Sequence, residues 1–153
     1  MFRTVFVSFC ALAILTIASV RAEDAEVWRY QCLGDEVIGS KICTTELATF
    51  ENGEEFVVYF VHTDTGVPPL IVAGEDEALI SATIKVDKND PLSSESCDSG
   101  ACLFSTEHSD MLLAQFRKGF RANVIVRAAD QKIVFDRQLS LRGFSAALIA
   151  PPD

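Results

Sequence analysis

The dipeptide Asn52-Gly53 sits between two runs rich in Thr, Val, Phe and Tyr, Lys41 to Phe50 and Glu54 to His62. Asn-Gly supplies both positive-φ positions of a type I′ turn, whose twist matches that of the strands it joins. An antiparallel hairpin is therefore expected near the centre of this chain. Alternation of period two recurs in Trp28 to Cys32 and in Leu79 to Val86. Phe120 to Arg127 and Lys132 to Leu141 form a further hairpin around Ala129-Asp130-Gln131, with Ile133, Phe135 and Arg137 facing opposite Val134, Asp136 and Gln138. Pro68-Pro69 cannot donate to a ladder, so Leu70 to Ala73 is expected as a short edge strand. Asp64-Thr65-Gly66 and Asp98-Ser99-Gly100 read as turns, Leu92 to Ser96 as a polar stretch, and Leu103 to Thr106 as a brief strand.

One helix is marked by Ser109 as N-cap and Asp110 in the first turn. Leu112, Leu113 and Phe116 fall on one face, Arg117-Lys118 suit its end, and Gly119 closes it. Gly143 to Ala150 fits a single helical turn that Pro151-Pro152 stops. About eight short strands with one or two short helices predict an all-β fold. The expected architecture is a mainly antiparallel β-sandwich, immunoglobulin-like, or a partly closed barrel.

The first 22 residues are of another kind. Arg3 gives a basic start, Val5 to Val20 is almost unbroken apolar sequence, and Val20-Arg21-Ala22 suits a signal peptidase. The run is short for a bilayer span, which needs about 20 apolar residues, and acidic Glu23-Asp24 follows it. Residues 1–22 are expected as a signal peptide and 23–153 as a single disulfide-stapled β domain. The full chain carries 13 Lys+Arg and 22 Asp+Glu; the leader takes Arg3 and Arg21, leaving 11 against 22, net −11. Such a chain repels phosphate backbones and anionic lipid heads, so no nucleic acid partner is expected, nor stable membrane insertion after cleavage.

Removing Cys10 with the leader leaves Cys32, Cys43, Cys97 and Cys102, an even set that reads as a disulfide framework. Of three possible pairings, Cys32–Cys43 and Cys97–Cys102 close short local loops and are favoured. The spacings C-x10-C and C-x4-C match neither a typical zinc pair nor a redox C-x-x-C. No metal and no cofactor are expected.

His62 and His108 are the groups that titrate near neutrality without help. A hydrolytic triad can be drawn from His108, Asp110 and Ser105, yet no G-x-S-x-G elbow is present, and a helix cap explains Ser-Asp there more simply. The chain has no H-E-x-x-H, Walker loop or G-x-G-x-x-G. Gly74-Glu75-Asp76-Glu77 and Asp87-Lys88-Asn89-Asp90 lack EF-hand spacing and read as solvated turns. Glu54 and Glu55 would point to opposite faces of a strand. No catalytic residue is assigned.

Several segments together resemble the invasion-associated locus B family of bacterial exported proteins. Trp28-Arg29-Tyr30-Gln31-Cys32, with Cys43-Thr44-Thr45, resembles its opening; Ile84-Lys85-Val86-Asp87-Lys88 with Cys97 and Cys102 resembles its middle. Leu139-Ser140-Leu141-Arg142-Gly143-Phe144-Ser145-Ala146-Ala147-Leu148 resembles its close. The family pattern places Gly immediately before the last cysteine, where this chain has Gly100-Ala101, and Pro68 to Ala82 matches poorly. The resemblance implies an exported protein of a Gram-negative bacterium linked to host-cell entry. It also supports the two local disulfides and implies structural roles for Trp28, Leu141, Gly143 and Phe144, the last as a core plug. It brings no catalytic residues.

The expected function is that of a non-catalytic envelope protein, a binding module for an envelope or host protein associated with host-cell invasion. Loop residues Lys88, Asp98 and Ser99 are candidate contacts. The expected location is the periplasm, with the cell surface or the medium as alternatives. A chaperone-like or structural accessory, and a hydrolase using His108, are the competing readings.

Overall fold

The computed structural model describes residues 26–35, 40–64, 66–76 and 78–149. The leader therefore lies outside the described residues, as do Thr65, Glu77 and Pro151-Pro152. The central hairpin pairs β2 (Ser40–Glu51) with β3 (Glu54–His62) from Cys43↔His62 to Glu51↔Glu54. Its turn has Asn52 at φ 53° and Gly53 at φ 85°, the left-handed pair that Asn-Gly tolerates. Phe56, Val58 and Phe60 of β3 are fully buried, and their neighbours are not.

Around this hairpin, β1 (Arg29–Asp35) pairs with β2, and β4 (Leu70–Gly74) with β3. β5 (Leu79–Val86) begins the second layer, followed by the short β6 (Leu92–Ser93), β7 (Ser96–Asp98) and β8 (Ala101–Leu103). After helix α1 (Thr106–Lys118) come β9 (Arg121–Ala128), a 3-10 turn at Ala129–Gln131, β10 (Ile133–Ser140) and the one-turn helix α2 (Phe144–Ala147). Sheet A has the order β1-β2-β3-β4-β8-β7 and sheet B the order β10-β9-β5-β6. Every pairing is antiparallel, and the two sheets face each other without closing into a barrel.

The inner faces meet in one apolar cluster. Phe56 of sheet A stacks on Phe135 of sheet B, ring centroids 4.6 Å apart. At one end α1 and α2 plug the sandwich: Phe144 packs on Trp28 at 4.9 Å, Phe116 at 5.2 Å and Phe60 at 5.4 Å. Edge-on contacts of this kind add to the area these rings remove from water. The Trp28 indole N–H donates to the Ser140 carbonyl at 2.9 Å, so the polar end of the ring is satisfied inside the core. Leu141 is also buried, and Gly143 turns the chain into α2 at φ 86°.

Four local expectations need correction. Leu70–Gly74 is not an edge strand but an interior one between β3 and β8; the two prolines stop short of its ladder, and the Pro69 carbonyl accepts the Val61 N–H. The N-cap of α1 is Ser105, whose Oγ accepts the His108 N–H at 3.2 Å, so Thr106 opens the helix rather than ending a strand. Ser109 lies inside the first turn, fully buried, accepting Leu70 N–H at 3.1 Å and donating to the Phe104 carbonyl. A β-bulge between Ile133 and Phe135 breaks the alternation there, leaving Ile133 exposed while Phe135 is buried.

Candidate interaction surface

A strand shows alternate side chains to opposite faces, so each sheet has an outward face as well as a core face. On sheet B that face is mostly polar, as a solvated sheet should be: Ser81, Thr83 and Lys85 on β5, Arg121, Asn123 and Arg127 around the single apolar Ile125 on β9, Asp136 and Gln138 on β10. Sheet A departs from this rule. One outward row runs across four strands as Glu46↔Tyr59↔Ile71↔Leu103, and the next as Ala48↔Val57↔Ala73↔Ala101. Val61 flanks the first row and Phe50 the second, the latter 57% exposed. No described helix covers these rows: α1 packs against β5 and β6, and α2 against β1.

Acidic groups border the apolar rows. Glu46 ends one, Glu55 stands opposite Phe50, and Asp98 stands opposite Ala101, with Arg29 opposite Glu46 as the counter-charge. Burial, and then the nearby Glu46 carboxylate, push the Tyr59 hydroxyl above its ordinary value, so it remains a protonated donor. At one corner the face deepens into a cleft of about 790 Å³, where Val27, Ala48 and Phe50 meet Arg29, Glu55 and Arg137. β1 stops pairing at Arg29↔Glu46 while β2 continues to Glu51, and this difference in length opens the cleft. Its floor is tied by Glu26, which takes the Arg137 guanidinium at 3.0 Å and the Thr49 hydroxyl at 2.6 Å.

The residues singled out from the sequence are dispersed. Cys32 is bonded to Cys43 between β1 and β2, and Cys97 to Cys102 between β7 and β8. The His62 Nε2 lies 2.7 Å from Thr45 Oγ1, which donates its proton to the Ala147 carbonyl. A hydroxyl has one proton, so His62 donates here from Nε2–H. The His108 imidazole meets the Ser93 carbonyl through Nδ1 at 2.9 Å, whereas the Ser105 hydroxyl serves a backbone N–H. The drawn triad of His108, Asp110 and Ser105 is thus not brought together by these bonds.

Among the loop residues, Lys88, Asp98 and Ser99 are exposed. Asp87 works structurally, accepting the N–H groups of Phe120 and Arg121 at 2.9 and 3.1 Å. Asp76 accepts the Ala78 N–H as an ordinary turn. Among the described residues no group of three or more His, Cys, Asp or Glu side chains converges as a metal site, and no helix is long and apolar enough to cross a membrane.

The open face of sheet A was missed at the sequence level; the sequence marks strands that are apolar on both faces but not what covers the second. Phe56 to Val61 and Leu70 to Ala73 are unbroken apolar runs of six and four residues, longer than any in the strands of sheet B. No curated protein and no solved structure matches the chain. A family model for the invasion associated locus B (IalB) protein matches residues 28–152, from the core tryptophan through both disulfides to the tail beyond α2. The chain belongs to the invasion associated locus B family.

Proposed function

We propose that this chain is an exported, non-catalytic binding module in host-cell invasion, and that its partner protein docks on the outward face of sheet A. The observation that carries this reading is the continuity of Tyr59, Ile71 and Leu103 with Val57, Ala73 and Ala101 across four strands. Contiguous apolar surface of this kind on a soluble domain marks an interaction site. The border of Glu46, Glu55 and Asp98 favours a partner whose apolar patch is ringed by Lys or Arg. Two disulfides and the apolar leader support export, with the periplasm as the first compartment and the cell surface or medium beyond it.

The test is site-specific photo-cross-linking in the native bacterium. A cross-linker at Ile71 should give one discrete adduct that Leu103→Glu abolishes, while a cross-linker at Asn123 on sheet B gives none. Equal adducts at both positions, or none at Ile71, would defeat the proposal. A smear of many products at Ile71 would instead favour the chaperone-like accessory, which an open apolar face also suits. A His108→Ala protein should keep the invasion phenotype; its loss with the fold intact would favour a hydrolase.

A further inference from the structure

Phe120 is 81% exposed, the most exposed of the large apolar side chains described. Its exposure does not come from a slack loop. The Phe120 N–H donates to Asp87 Oδ2 at 2.9 Å and its carbonyl accepts the Leu141 N–H at 3.0 Å, so the backbone that carries the ring is fixed between α1 and β9. It lines a cleft of about 670 Å³ with Arg121, Arg142, Ser140 and Gly119. Arg117 and Lys118 end α1 immediately before it. The helix dipole accounts for those two cations. It does not account for Arg121 and Arg142, which lie outside the helix. Asp87, held by the Phe120 and Arg121 N–H groups, and Asp90 on the same loop bring two negative charges against the four cations Arg117, Lys118, Arg121 and Arg142.

We propose that this corner, Phe120 with Arg121 and Arg142, is a peripheral docking site for an anionic lipid surface. The chain as a whole is acidic, but charges farther away than about 8 Å are largely screened at physiological salt, so a surface at contact meets the local cations. An aromatic ring at head-group level flanked by Arg and Lys is how peripheral proteins anchor without spanning. A ring with so little of itself buried suits a soft surface that can envelop it. Docking here is independent of the partner face on sheet A, and either can fail without the other.

The test is co-sedimentation of the mature protein with vesicles of phosphatidylcholine alone or mixed with phosphatidylglycerol. Binding is expected for the anionic vesicles only and should fall as salt rises. Phe120→Ser should lower partition about tenfold or more, as removing a buried Phe side chain would. Arg121→Gln and Arg142→Gln should lower it roughly fivefold each, with no change in thermal midpoint for any of these exposed positions. Phe120→Trp should retain binding and shift its emission to the blue on anionic vesicles. Absence of binding to anionic vesicles, the outcome if this corner meets an acidic protein, overturns the proposal. So does binding that Phe120→Ser leaves unchanged.

Discussion

At the scale of single residues, the aromatic plug shows how a few side chains set the stability of this sandwich. Phe144 is fully buried and touches three other rings, so Phe144→Ala removes contacts with Trp28, with Phe60 of sheet A and with Phe116 of α1 at once. Truncations of this type cost about 3–5 kcal/mol, and a urea midpoint should register the loss. His62 predicts a pH dependence. Burial lowers its pKa from 6.5, so the unfolded chain takes up a proton before the folded chain does. Its contribution is therefore present above the unfolded value and is lost as pH falls through the folded one. Denaturation from about pH 8 to about pH 5 should show a smaller decline in His62→Gln than in the native chain. The burial of Phe144 was expected from the family resemblance, whereas the bond from His62 to Thr45 was not foreseen. Those two side chains lie 17 positions apart, and their meeting depends on the register of the central hairpin.

Among the elements, α1 separates what a pattern can reveal from what it cannot. The apolar face of Leu112, Leu113 and Phe116 was plain from spacing, and all three are buried. Its start was misjudged because Ser105 and Ser109 both offer a capping hydroxyl, and only the strand beside the helix decides between them. Leu70 N–H claims Ser109, which leaves Ser105 as the cap. Ser105→Ala should cost about 1 kcal/mol as a lost cap. Ser109→Ala strands a buried backbone donor and should cost about 1–3 kcal/mol. Chemical denaturation of the two variants ranks them, and a larger loss at Ser105 would contradict the assignment. Gly119 ends the helix as expected but for another reason. Its φ is −84°, and a Cβ there would come within 2.5 Å of Val86 Cγ1 and 2.8 Å of the Gln115 carbonyl, so the glycine is required by space rather than by handedness. Gly100 is required on both counts, with φ 80° and a hypothetical Cβ 2.8 Å from the Gly74 carbonyl.

For the molecule as a whole, two facing antiparallel sheets were readable from alternation and turns, because the pleat couples each inward residue to its neighbours. The open face of sheet A was not, since Phe56 to Val61 has the same pattern whether its second face lies under a helix or is left bare. The cysteines sit where this matters most. β1 and β7 are the two outermost strands of sheet A, and each is bonded to the strand inside it, Cys32 to Cys43 and Cys97 to Cys102. Core side chains hold the middle of the sandwich, so reduction should lower the thermal midpoint while leaving a folded protein at neutral pH. Once the staples are cut, β1 and β7 can peel away and bare the backbone rows of β2 and β8, templates for pairing with another chain. The two cross-links thus act as hems on a fabric: a reducing environment would make this protein self-associate before it made it unfold.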